Sequence, residues 1–68
     1  MNEEALNTSL RKFLKVVGVT SQGEIEKAVR KAAADGKLKG KPSLKAHMVL
    51  TIGDVGLTHT IDGTIDLE

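Results

Sequence analysis

The residues best suited to proton transfer or metal binding lie in the last third of the chain. Alternation of side chains along two strands would place His47 and His59 on opposite faces, so we expect that they cannot bind one metal ion together. His47 would lie across from Asp62 as an exposed pair, and His59 at the rim of an apolar face. Asp62 and Asp66 share a face at about 13 Å, beyond the roughly 9.5 Å that a working carboxylate pair tolerates. This pattern predicts neither a catalytic nor a metal site.

Two other sources of chemistry are equally weak. The glycine-lysine run at residues 36–41 lacks the six-residue frame and the hydroxyl residue of a phosphate-binding loop, and it follows a helix instead of leading into one. The chain has no cysteine, which excludes disulfides, thiolate zinc sites and thiol nucleophiles. We therefore predict that the protein is not an enzyme and has no cofactor.

The middle of the chain is strongly basic, although the net charge is only +1. All ten lysines and arginines lie between Arg11 and Lys45, with three carboxylates among them, so this segment has a net charge of +7. Such a surface can bind phosphates in a salt-dependent way, or it can be the ordinary solvated face of surface helices. The candidate nucleic-acid contacts are Arg11, Lys12, Lys15, Gln22, Lys27, Arg30, Lys31, Lys37, Lys39 and Lys41.

Two amphipathic helices are predicted, and the first spans residues 3–17. Asn2 is its expected N-cap, and Gly18 is its expected C-terminal cap in a left-handed conformation. The apolar positions recur at helical spacing and form one stripe. They are Leu6, Leu10, Phe13, Leu14 and Val17.

The second predicted helix spans residues 22–35 and begins with a capping box between Ser21 and Glu24. Gly36 is expected to end it. A second apolar stripe should let the two helices pack face to face. Its members are Ile25, Ala28, Val29, Ala32 and Ala33.

After a basic loop at residues 37–43 the apolar period changes to two, which predicts strands at residues 44–52 and 57–67. Pairing Ile52 with Leu57 across a four-residue turn gives both strands one apolar face. The register then also aligns Leu50 with His59, Met48 with Ile61 and Leu44 with Ile65.

The Asp62-Gly63 pair is a strong hairpin signal and raises the alternative of a third strand. A turn at that pair would move Ile65 and Leu67 to the polar face. The alternation therefore favours one continuous strand with Gly63 as a bulge or flat position.

The predicted fold is α+β, a single domain in which both helices pack on one face of a C-terminal antiparallel hairpin. A chain of 68 residues without a disulfide or metal is near the lower size limit for independent folding, and a two-stranded sheet leaves both edges open. We therefore expect a homodimer. No apolar run is long enough to cross a membrane, so we expect a cytoplasmic protein without a membrane partner.

From MNEEALNTSLRKFLKVVGVTSQ to the ending IDGTIDLE, the chain resembles a family of short, uncharacterised bacterial proteins of about 70 residues. This resemblance implies no activity, cofactor or site. The segment VGVTSQGEIEKAVRKAAADGKL, followed by a hairpin, also looks like the turn, recognition helix and wing of winged helix-turn-helix proteins. By that analogy Gln22, Lys27 and Arg30 would face a DNA groove. The chain departs from the pattern in lacking a third helix and in having an acidic wing tip.

Two functions follow as expectations. The first is a non-enzymatic interaction module that associates with itself through the hairpin. The alternative is a truncated winged-helix nucleic-acid binder that uses the basic faces of both helices.

Overall fold

The computed structural model describes all residues, 1–68, and divides into two compact units, Met1–Leu38 and Lys39–Glu68. The first unit contains one helix, and the second contains one antiparallel hairpin, which confirms the α+β class. The elements are α1 at Glu3–Ala34, β1 at Ser43–Ile52, a 3-10 turn at Gly53–Val55, and β2 at Leu57–Asp66.

The amino-terminal cap of α1 is as predicted. Asn2 has an extended backbone, and its side-chain oxygen accepts a hydrogen bond from the Ala5 N–H at 3.0 Å. This bond satisfies one of the backbone donors that the first turn leaves without a partner. Glu3 and Glu4 lie in the first turn, where the helix dipole favours carboxylates.

The prediction of two helices is wrong, because α1 continues without a break through residues 18–22. Gly18 does not have the positive φ that a left-handed cap requires. The Thr20 hydroxyl donates to the Val16 carbonyl at 2.7 Å, which is a bond between successive turns of one helix.

The physical reason is that glycine weakens a helix by only about 1 kcal/mol and does not have to end it. No proline follows Gly18 before the predicted second helix, and Ser21 lies within the helix instead of at its cap. The segments 3–17 and 22–35 therefore share one axis and cannot pack against each other. The helix-turn-helix that the winged-helix resemblance implies is absent.

The carboxyl-terminal end of α1 confirms the predicted stop at Gly36. This glycine has φ 76°, and its N–H donates to the Ala33 carbonyl at 3.1 Å. The next N–H, of Lys37, donates to the Ala32 carbonyl at 3.0 Å. Together the two bonds form a Schellman motif, in which glycine adopts the left-handed conformation without a Cβ clash.

The hairpin has the predicted register. Ile52 pairs with Leu57, Leu50 with His59, Met48 with Ile61, and Leu44 with Ile65. The strands are joined by the 3-10 turn, where the Gly56 N–H donates to the Gly53 carbonyl at 3.1 Å and Gly56 has φ 64°.

The alternative third strand does not form. Gly63 lies within β2 opposite Ala46, so the Asp62-Gly63 pair is not a turn. One further hydrogen bond, from the Leu67 N–H to the Pro42 carbonyl at 2.8 Å, extends the pairing beyond Ser43 and Asp66.

Neither unit contains a buried residue. On the apolar face of the hairpin, Leu44, Ala46, Leu50 and Ile65 are half-buried, whereas Met48 and its partner Ile61 are exposed. The predicted packing of helix against hairpin, and the single domain it implies, stay predictions. No helix in the chain has the length and apolar character needed to cross a membrane.

Candidate interaction site

The predicted cationic contacts on α1 form two separate groups. Arg11, Lys12 and Lys15 lie in the amino-terminal half, and the other group begins twelve residues later, at Lys27. Twelve residues of α-helix correspond to about 18 Å along the axis, and helical periodicity rotates the mean direction of one group from the other by about 100°. A single continuous helix therefore does not gather the six cations of the two groups into one patch.

The charge of the second group of cations is partly neutralised by glutamates on the same helix. Lys27 Nζ lies 3.3 Å from Glu24 Oε2, and Arg30 Nη1 lies 3.6 Å from Glu26 Oε2. The Gln22 amide donates to the other oxygen of Glu26 at 3.1 Å. All of these side chains are exposed, so the pairs contribute little to stability, but they place carboxylates beside three of the predicted contacts. Lys31 lies in the last turn of α1 and is exposed. It forms no ion pair with a carboxylate.

The three lysines after α1 belong to different units. Lys37 lies at the end of the helical unit, where its backbone closes the Schellman motif. Lys39 and Lys41 belong to the hairpin unit, on either side of Gly40 with φ 76°. All three lysines are exposed.

The most defined polar contact in the protein joins the two strands. His47 Nδ1 lies 2.6 Å from Asp62 Oδ1, as expected for residues that the register places directly opposite each other. The pair is open to solvent, with the His47 side chain 59% and the Asp62 side chain 82% exposed. Around it is a shallow, open depression lined by Lys45, Ala46, His47, Asp62, Gly63 and Thr64.

The surroundings of this pair limit its chemistry. His59 lies opposite Leu50 in the apolar phase of the strand, which confirms that the two histidines occupy opposite faces. Asp66 lies opposite Ser43, four positions along β2 from Asp62. No group of three or more histidine, cysteine or acidic side chains comes together. The arrangement supplies one side-chain hydrogen bond across the sheet.

Several exposed valines lie outside the apolar stripe and apolar face that the sequence predicts. Val49 lies on the polar face of β1, opposite Thr60, and its exposed fraction is 52%. Val55 in the turn is 73% exposed, and Val16 and Val19 lie outside the predicted helical stripe yet are also exposed. The signal in the sequence was an apolar residue at a position where the alternation requires a polar one, and Val49 is the clearest case.

The chain belongs to the family of unknown function DUF6494, whose sequence model matches residues 1–68. This match confirms the prediction that the chain is a member of a family of short proteins without an assigned activity. No curated protein and no solved structure matches the chain.

Proposed function

We propose that this protein is a non-enzymatic interaction module of the cytoplasm that associates with a second copy of itself through the hairpin. The observation that carries the proposal is that neither unit buries a residue within itself. Apolar burial is the main favourable contribution to folding, and a unit without a core of its own lacks it. A partner surface can supply the missing burial.

The hairpin supports self-association more directly than the helix does. A two-stranded sheet is marginally stable alone, and three or more strands with a covered apolar face are the usual minimum. Both edges of this sheet are open, and four large apolar side chains on one face are exposed. These side chains are Met48, Ile52, Leu57 and Ile61.

Sedimentation velocity at micromolar concentration tests the proposal. We expect a dimer whose population rises with protein concentration. Met48→Asp should shift the protein towards monomer, because it places a charge on the apolar face. Val55→Asp is the matched control, since it makes a similar change in the exposed turn. A strictly monomeric wild-type chain would contradict self-association, and equal dimer populations in the two variants would contradict the hairpin as its site.

The alternative proposal is binding to nucleic acid through the ten candidate contacts. The exposure of the cations supports it, whereas their division into two groups on one helix and the adjacent glutamates reduce the phosphate contacts that one duplex can make. Titration of labelled duplex DNA and RNA at two salt concentrations separates the two proposals. If Lys27→Glu and Arg30→Glu leave the measured binding unchanged, this alternative is wrong.

A further inference from the structure

We propose that the second copy pairs along the open edge of β1, in an antiparallel arrangement around a twofold axis, and that the edge of β2 is protected against pairing. This inference rests on the proposed self-association and names the strand that carries it. The dimer would then contain one four-stranded sheet in the order β2-β1-β1-β2.

The charges of the two strands differ in a way that disfavours pairing along β2. Both of its charged side chains are aspartates, Asp62 and Asp66, and they lie in the same phase of the strand. If two β2 strands paired in antiparallel orientation along their full length, the twofold axis would lie at Ile61 or at Asp62, in the middle of the strand. The Asp62 carboxylates of the two copies would then lie directly opposite or diagonal to each other, about 5–8 Å apart at Cβ. Like charges at such positions are destabilising.

Pairing along β1 avoids this repulsion. Side chains alternate along a strand. Both copies therefore keep their apolar faces on the same side of the sheet only if the residue at the twofold axis lies directly opposite the same residue of the second copy. An axis at Met48 pairs nine residues, 44–52, with their counterparts. Lys45 then lies opposite Thr51 of the second copy, and the two Lys45 residues are about 20 Å apart along the strands.

The same axis continues the apolar face across the seam. Ala46 would lie opposite Leu50 of the second copy, and Leu44 opposite Ile52, all in the apolar phase of β1. On the polar face, Val49 would lie beside His47 of the second copy. This position places the exposed valine against an imidazole ring, which would cover part of its apolar surface.

The features of β2 explain why the assembly would stop at two copies. Pairing of β1 with β2 of another copy would leave free edges and continue into an open fibre. In the twofold dimer β2 is outermost, and its aspartates, together with Gly63, oppose further strand addition. The four strands exceed the minimum for a stable sheet.

Single-cysteine variants test the inference, because the chain has no cysteine of its own. Val49→Cys and Thr60→Cys form a matched pair, since the two residues lie directly opposite each other and both are exposed on the polar face. Each full-length variant is treated with a bismaleimide with a two-carbon spacer at a concentration where sedimentation velocity shows the wild-type dimer. Circular dichroism and sedimentation of each variant check that it keeps the wild-type fold and association.

We expect Val49→Cys to form a covalent dimer at least tenfold faster than Thr60→Cys. The reason is that Val49 lies at the seam, whereas the two Thr60 residues are separated by three strand spacings, about 14 Å. Equal rates, faster reaction of Thr60→Cys, or no reaction of either variant in a sample that is dimeric would overturn the β1 seam and leave self-association standing. A wild-type chain that is monomeric at every concentration would overturn both.

Discussion

The helical unit and the hairpin unit are held by interactions of very different range. Side-chain hydrogen bonds in α1 join residues three or four positions apart, from Asn2 with Ala5 to Gln22 with Glu26. In the hairpin, His47 and Asp62 are fifteen positions apart, and Pro42 and Leu67 form the outermost backbone bond.

This difference predicts how each unit responds to mutation. A helix of 32 residues gains one backbone bond for each residue added, so it depends on an uninterrupted backbone. The hairpin depends on its turn, because closing the turn brings all of its distant pairs together. Changes in backbone conformation should therefore have the largest effects, and removal of single surface contacts the smallest.

The largest effect is expected from proline in the middle of α1. Thr20→Pro removes a backbone donor and brings the ring against the Val16 carbonyl, which Thr20 contacts, so it should cost about 3 kcal/mol or more. Glu3→Pro is the control, because the first helical position tolerates proline. Helical circular dichroism and urea unfolding measure both variants. Similar small losses in both would mean that residues 18–22 form a turn.

In the hairpin, the turn should be most sensitive at Gly56. Gly56→Ala should destabilise the protein by about 1–2 kcal/mol, because an L-residue is strained at φ 64°. Gly53→Ala in the same turn is the control, since Gly53 lacks a positive φ and an added Cβ meets nothing within 4 Å at either glycine. Urea unfolding compares the two variants, and an equal loss in both would contradict the left-handed conformation of Gly56.

Gly18→Ala should stabilise the protein by about 0.5–1 kcal/mol, because alanine favours an interior helical position and its Cβ would have open space. The opposite sign is expected for Gly36→Ala, where φ is 76°. Thermal unfolding of the two variants measures whether each substitution raises or lowers stability. Destabilisation by Gly18→Ala would instead support a left-handed cap and hence two helices.

The smallest effect is expected for the contact between His47 and Asp62. A double-mutant cycle with His47→Gln and Asp62→Asn should give a coupling free energy below about 1 kcal/mol that decreases with added salt, because both side chains are exposed. Asp66→Asn is the control for loss of a carboxylate from the same strand. A coupling of several kcal/mol, measured by chemical unfolding, would show that this contact is shielded from solvent.

The sequence predicted the hairpin better than the helical unit. Alternating side chains and the four-residue turn were sufficient for the register, because a shift by one residue would reverse the face of every side chain. The N-cap at Asn2 and the stop at Gly36 were also predictable, since each depends on a few adjacent residues. The error lay at Gly18, where glycine is compatible with both a cap and a helix interior.

Local sequence thus determined the class of fold, the ends of α1 and the pairing of the strands, because each of these follows from spacing and backbone preference over short distances. The three-dimensional structure decided whether α1 continues past Gly18 and, as a consequence, where its cations lie. Two cationic groups in one continuous helix are separated by the rise of the helix, whereas a turn between two helices would allow them to come together. The structure also showed that neither unit buries a residue within itself, a property that depends on the packing of a whole unit and not on any local pattern.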